Sequence, residues 1–379
     1  MNPRFLRVFV LLAGAAVAAC AAAAQKATPF KLGTFSAQGR EYLGLVLGDT
    51  VVVDIDAANT QYERSHPAAA KLKFPAVMTQ LIDRYDAELG PRLRLLAAEI
   101  DPKQPAAYIR QISAVKVLPP VRPAVILNAG ANYPEHAAGI VQQNARSAAP
   151  AGPATPASPL AGGGPPRAVG QSMPGIWERA GNDTRADNPY LFLKSPTVVV
   201  GANDDVVIPR GRTQIDWECE FAVVIGRKAQ DVSVAAAPGY IFGYSIEFDV
   251  SDRGGRGDRK MGGGPDWLVQ KNHDTFGPIG PFIVPKEFVP EPTNVRHYFT
   301  LNGEIKQDSN TSRMEYNLWE MLSYASSIMT LSPGDLLSLG SPSGTNIERE
   351  NPRWMQAGDV GVCVVEGIGE QRHNIVAQK

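Results

Sequence analysis

Asp216-Trp217-Glu218-Cys219-Glu220-Phe221-Ala222-Val223-Val224-Ile225-Gly226 is the stretch on which the reading of this 379-residue chain turns. Apolar and β-branched residues run from Phe221 to Ile225 and stop at a glycine, the composition of a buried strand. On a strand, side chains i and i+2 share a face. Glu218 and Glu220 therefore project together, followed on that face by Ala222 and Val224, while Trp217, Cys219, Phe221, Val223 and Ile225 line the other. Two neighbouring carboxylates against apolar side chains repel each other and lose hydration. A hard divalent cation removes both costs, and carboxylate oxygens suit Mg²⁺ or Mn²⁺, with Ca²⁺ also compatible. The pair alone fits a solvated strand face equally well, so the rest of the chain must decide.

A third carboxylate, Asp249, follows the apolar run Tyr240 to Phe248, at a strand end where a side chain can point into the mouth of a site. Lys271 comes soon after, between an aromatic-rich segment and the Gly/Pro turn that ends at Pro281. That setting favours a lysine facing a pocket over one that is simply solvated.

Working outward, 44% of the residues are hydrophobic and 20% charged, with a net charge of −1. That suits one large domain or two ordinary ones, and gives no electrostatic reason to bind nucleic acid. Three cysteines are too few for a disulfide framework. No G-x-G-x-x-G follows a strand and no Walker A motif occurs, which removes support for dinucleotide or NTP binding.

Residues 1–24 read as an export signal, with Arg4 and Arg7 before the apolar run Phe9 to Ala19. Two cleavages fit: after Ala24, by the A-x-A rule, or at Val17-Ala18-Ala19-Cys20, which would leave a lipid anchor on Cys20. Either implies a periplasmic or secreted protein, and no later segment is long enough to span a membrane. An oxidising compartment would permit a disulfide between Cys219 and Cys363, although nothing in the sequence requires one.

Residues 25–120 read as a small N-terminal α+β domain, with strands at Leu43–Leu47 and Val51–Val53 and one or two helices over 76–99. Residues 121–379 form the second unit. It opens on the buried strand Ala124 to Leu127, with a helix starting at Pro134. The stretch 147–170, rich in Pro, Gly, Ala and Ser, cannot bury a core and reads as a flexible insertion. From Tyr190 onward, short strands at close spacing predict a closed or rolled mixed sheet, with a helix at Asn317 to Met329.

Over about residues 124–376 the chain resembles the fumarylacetoacetate hydrolase superfamily. The matching pieces occur in family order: Asn132-Tyr133-Pro134-Glu135-His136, the stretch 216–226, Gly243 to Arg253, Lys271 to Pro281, Leu301 to Glu304 with Gln307, Leu331 to Asp335, Gly340 to Gly344, and Gly358-Asp359. The resemblance implies an α+β mixed β-roll, usually a homodimer, with a smaller N-terminal domain. It implies Glu218, Glu220 and Asp249 as ligands of Mg²⁺ or Mn²⁺, Lys271 as the holder of developing negative charge, and Tyr133, Arg253 and Ser341 as lining for an oxo-acid substrate. Expelling an enolate from a diketo acid suits a divalent ion and a lysine, and activating a water is general-base work for His136.

Two departures matter. Many members carry Glu three positions after this His, but here that position is Gly139. Glu348, Glu350 and Glu178 are candidate replacements. After Arg253 the chain runs Gly254-Gly255-Arg256, and Arg256 and Arg259 add positive charge; His273 takes a commonly aromatic position. The expectation is a metal-dependent hydrolase of a C–C bond in an acylpyruvate-like or diketo acid. The alternatives are a decarboxylase, hydratase or isomerase on the same scaffold, or a periplasmic binding protein.

Overall fold

The computed structural model describes residues 27–147, 177, 183, 185, 188–256 and 266–379. The export segment with Cys20, the insertion beyond Ser147, Glu178 and Arg259 lie outside the described residues. Among the described residues, no helix is long and apolar enough to cross a membrane.

The N-terminal part runs β1 (Lys31–Ala37), β2 (Arg40–Leu47), β3 (Val51–Asp54), α1 (Ile55–Ser65), α2 (Met78–Asp83), α3 (Gly90–Glu99), β4 (Ile109–Gln111) and β5 (Lys116–Leu118). The expected helical span over 76–99 is α2 and α3, joined through a π-type turn at Tyr85–Leu89. Helix α1 has too weak an apolar stripe to be legible, since only Ile55, Ala58 and Asn59 are buried. Its N-cap is visible in retrospect: the Asp54 carboxylate accepts from the Ala57 N–H at 3.3 Å.

The remainder continues β6 (Ile126–Gly130), α4 (Pro134–Ser147), β7 (Tyr190–Lys194), β8 (Val199–Val200), β9 (Val206–Ile208), β10 (Ile215–Asp216) and β11 (Cys219–Ile225). Then come β12 (Ile241–Phe248), β13 (Ser251–Asp252), α5 (Trp267–Lys271), β14 (Gly277–Pro285), β15 (Arg296–Leu301) and β16 (Glu304–Asn310). The chain ends with α6 (Leu318–Ile328), β17 (Leu336–Ser338), β18 (Val360–Val365) and β19 (Gly369–Ala377). Asn317 and Glu320 close a capping box on α6, whose start falls one residue after the expected one.

The fold is α+β with mixed sheets. Among the described residues, a twelve-stranded sheet has the path β4-β3-β2-β1-β14-β12-β11-β17-β6-β7, and a five-stranded sheet the order β16-β15-β18-β19-β9. Most pairings are antiparallel, but β17–β6, β19–β9 and β14–β8 are parallel. Hydrogen bonding crosses the boundary near residue 120, because β1 pairs with β14. Strand β11 lies between β12 and β17, buried on both faces. Cys219, Phe221, Val223 and Ile225 enter one apolar core; Ala222 and Val224 enter the other, shared with Leu32, Leu45 and Leu81. The two-residue alternation read from the sequence thus assigns successive side chains of one strand to two different cores.

Candidate metal centre

Strands β11 and β12 pair antiparallel with Glu220 opposite Glu247 and Cys219 opposite Phe248, which brings Asp249 beside Glu218. The Asp249 N–H donates to the Glu218 carbonyl at 2.9 Å. Glu218, Glu220 and Asp249 each offer an oxygen within 4.8 Å of the others, and all three are buried. The triad expected from the sequence is therefore assembled by one strand pair.

The electrostatics show what the triad lacks. Glu220 Oε2 accepts from Ser338 Oγ at 2.5 Å and from the Gly340 N–H at 3.0 Å. Its Oε1 is buried without a hydrogen-bond partner. Burial, together with the charges of Asp249, Glu218 and Glu247, pushes the Glu220 carboxyl well above the usual range. Burial would also raise Glu218, but Arg253, Lys271 and His136 outweigh it and hold that carboxyl well below its ordinary value. A buried carboxylate oxygen with no donor, in a set of hard oxygen ligands, fits a divalent cation such as Mg²⁺ or Mn²⁺.

Lys271 projects from the last turn of α5, a helix whose N-cap is Asp266. Its ammonium donates to Glu218 Oε2 at 2.6 Å and Asp249 Oδ2 at 2.5 Å, and stands 5.0 Å from the Phe192 ring centroid. Arg253 reaches Glu218 Oε1 and, at 3.0 Å, Asp216 Oδ2, so here it braces Glu218. Asp216 also accepts from the backbone N–H groups of Asn346 and Ile347, at 2.8 and 3.1 Å. That tie draws the late loop onto the site.

The loop supplies the acid that Gly139 cannot. His136 Nδ1 bonds Glu348 Oε1, while its Nε2 lies 3.7 Å from Glu218 Oε1. Glu348 is held by Ser343 Oγ at 2.5 Å, the Gly344 N–H at 3.0 Å and Thr345 Oγ1 at 2.8 Å. Burial opposes its charge, yet His136 and these donors hold its carboxyl below the usual range. An ionised carboxylate only accepts, so the Nδ1–H of His136 donates to Glu348, and the other ring nitrogen, Nε2, faces Glu218. Glycine at 139 makes this possible: a Cβ there would fall 2.6 Å from Glu348 Cγ. Of the other candidates, Glu350 is exposed.

Tyr133 and Ser341 are buried and engaged with the protein. The Tyr133 hydroxyl bonds His297 Nε2 at 2.8 Å, and Ser341 Oγ accepts from Gln307 Nε2 at 2.8 Å. His273 bonds Asp252 Oδ2 at 3.1 Å, and Arg256 pairs with Asp266 at 3.6 Å.

Sequence reasoning missed Lys194 and Glu247. The Lys194 ammonium donates to Asp249 Oδ1 at 2.5 Å and the Phe276 carbonyl at 2.6 Å, and stands 3.9 Å from Glu247 Oε1. Asn128 Nδ2 donates to Glu247 Oε2 at 2.7 Å. Burial, only partly offset by Lys194, pushes Glu247 up to about 7. The available signals were a lysine in the apolar strand Tyr190–Lys194 and a glutamate in the apolar run Ile241–Phe248.

A buried carboxylate triad that could hold a metal ion, a lysine against it, and a His–Glu pair one contact away lie together on a β-rich scaffold. The model of the fumarylacetoacetate hydrolase C-terminal domain matches residues 169–376. The mitochondrial oxaloacetate tautomerase Fahd2a of Rattus norvegicus is 30% identical over 296 residues, 78% of each chain. Among solved structures, maleylpyruvate hydrolase from Sphingobium sp. SYK-6, crystallised with manganese(II) and pyruvate, aligns with a TM-score of 0.61. That match is 24% identical and covers 92% of this chain and all of that one. The 5-carboxymethyl-2-hydroxymuconate delta-isomerase from Mycobacterium smegmatis gives a TM-score of 0.58 at 24% identity, over 92% of this chain and 99% of that one. The chain belongs to the fumarylacetoacetate hydrolase family.

Proposed function

We propose that this chain is a metal-dependent hydrolase that cleaves a C–C bond in an acylpyruvate-like or diketo acid. The observation that carries this reading is the His136–Glu348 dyad beside Glu218, which restores the oriented base that Gly139 withholds. Glu218, Glu220 and Asp249 would hold Mg²⁺ or Mn²⁺, with Ca²⁺ less suited to so small a set. When bound, the ion supplies Lewis acidity toward the oxygens of a 2-oxo acid.

The protein's own groups do the rest. His136 Nε2 takes a proton from water, while Glu348 keeps the imidazole in the required tautomer and stabilises the imidazolium that results. Hydroxide adds to the distal carbonyl, the C–C bond breaks, and the electron pair leaves as an enolate. The Lys271 ammonium supplies fixed positive charge for that enolate. His136 then returns its proton to carbon.

A second reading is tautomerisation of an oxo-dicarboxylate, favoured by the relatedness to an oxaloacetate tautomerase. It needs the same base and lysine but no water. Incubating the protein with acylpyruvates or oxaloacetate, with and without Mn²⁺, separates the two. Loss of diketo-enol absorbance with two carboxylic products supports hydrolysis. Accelerated keto–enol equilibration without new products supports tautomerisation. Binding without turnover on the whole panel would sink both readings in favour of a binding protein.

We also propose that the chain is exported. The Cys219–Cys363 disulfide supports this, since such bonds persist in oxidising compartments. Assembly as a homodimer is proposed on the family resemblance.

A further inference from the structure

Cys219 separates Glu218 from Glu220, and the five-stranded sheet grips it at three points. Its Sγ is bonded to Cys363 of β18, with the two Cα atoms 5.4 Å apart and 144 positions between them. Its N–H donates to Gln307 Oε1 of β16 at 3.1 Å, and its carbonyl accepts from His297 Nδ1 of β15 at 3.1 Å. Strand β11 itself belongs to the twelve-stranded sheet. The disulfide is therefore a covalent staple between the sheet that bears the candidate ligands and the sheet packed behind it.

The two hydrogen-bonded anchors lead on into the rest of the site. His297 Nε2 accepts from the hydroxyl of Tyr133, which sits three residues before His136. Gln307 Nε2 donates to Ser341 Oγ and to the Pro342 carbonyl, each at 2.8 Å, at the start of the loop that carries Glu348. The position of the Cys219 backbone is thus common to the ligand strand, the base and the acid that orients it.

Both cysteines are fully buried in the apolar core, on the face of β11 opposite Glu220. Two unbonded sulfurs need more room than a bonded pair, and a close-packed core offers none. Reduction releases the covalent tie that fixes β11 against β18, and with it the constraint on the spacing of Glu218 and Glu220. Metal ligation tolerates errors of only about 0.2 Å.

We propose that the Cys219–Cys363 disulfide is the positioning device of the metal centre, setting the spacing of Glu218 and Glu220 so that the chain acquires full metal affinity only once it is oxidised. This rests on the metal-centre reading above. Forming the bond removes one proton and one electron from each thiol. Both electrons pass to a protein disulfide oxidant, the class of reagent that exporting compartments supply.

The test uses the full chain made in two ways, by export and in a reducing cytosol, with free thiols counted by alkylation and mass spectrometry. Calorimetric titration with Mn²⁺ should give a dissociation constant at least tenfold lower for the disulfide form. Reoxidising the thiol form with glutathione disulfide should restore it. The double variant Cys219→Ala, Cys363→Ala should bind like the thiol form, and if it does not fold, the wild-type thiol form supplies the comparison. Equal Mn²⁺ affinity in both forms, with only the melting temperature changed, would reduce the bond to a general stabiliser and overturn the proposal. Absence of Mn²⁺ binding in both forms would overturn the metal-centre reading as well.

Discussion

One end of the twelve-stranded sheet and its centre bury charge in opposite ways. In the N-terminal strands β1–β4 and their helices, each buried charge has an opposite charge in reach, Arg40 for Asp54 and Glu63 for Arg92. Asp54 caps α1 and pairs with Arg40, while Arg92 bonds Asn59 and the Ala70 carbonyl. At the central strands β11 and β12 the matching fails. Glu218, Glu247 and Asp249 face the ammonium groups of Lys194 and Lys271, Glu220 is held by Ser338 and the Gly340 N–H instead, and Arg253 is shared between Glu218 and Asp216. Four carboxyl groups against two lysines leave two acids without a matching cation, and Glu220 and Glu247 are the two whose carboxyls are pushed up; if ionised, they would carry the charge a divalent cation cancels. Balanced burial holds a fold together; unbalanced burial in the same sheet marks a candidate site where a cation could bind.

The largest effect should come from removing that excess. Glu220→Gln is expected to weaken Mn²⁺ binding at least 100-fold while leaving the metal-free melting temperature unchanged or raised, because it removes a buried, repelled carboxylate. A sharp fall in metal-free stability would contradict the contrast drawn above. His136→Asn should lower kcat by about 10²–10⁴-fold with Mn²⁺ affinity retained, as read by steady-state assay and calorimetry.

The converse experiment belongs at the balanced end. Leu45 is fully buried, and Leu45→Ala should cost about 2–5 kcal/mol in denaturant unfolding without changing Mn²⁺ affinity. Gly139→Ala sharpens the assignment of the dyad. The added Cβ competes with Glu348 for space, so kcat should fall by roughly 10–100-fold, the usual cost of losing an orienting partner. Activity equal to the parent protein would show that Glu348 does not orient His136.

The smallest effect concerns two buried histidines, His297 and His373, which burial pushes down to about 4. A depressed folded-state pKa favours the neutral form. The stability it contributes is complete above about pH 6.5 and lost as pH falls from there toward about 4. The unfolding free energy should decline over that window, by up to about 1.4 kcal/mol per pH unit for each histidine, as read by denaturant titration. His297→Gln should flatten part of the decline, and an unchanged profile would exclude His297 as a contributor.

Much of the fold and part of the site were legible in the residues. The two-residue alternation in 216–226 carried both the strand and the shared face of Glu218 and Glu220, because strand geometry depends on local backbone alone. Helix α4 starts at Pro134 and α6 follows Asn317, since caps are also local signals. Helix α1 was hidden by a mostly polar sequence, stabilised by its cap and by three buried positions. Lys194 and Glu247 looked like ordinary strand residues, and only the pairing of β6 with β7 and of β11 with β12 brings Lys194 within 3.9 Å of Glu247.

The amino-acid sequence by itself determined the strand, its two faces, the carboxylate triad with Lys271, and the absence of an acid at position 139. It offered Glu348 as one of three candidates, and a Cys219–Cys363 bond as permitted and no more. Tertiary structure decided both, through contacts between residues 212 and 144 positions apart. Such contacts leave no periodicity in the chain. They are set by which strands pair and which loop Asp216 draws down, and those choices are made by the packing of the whole core.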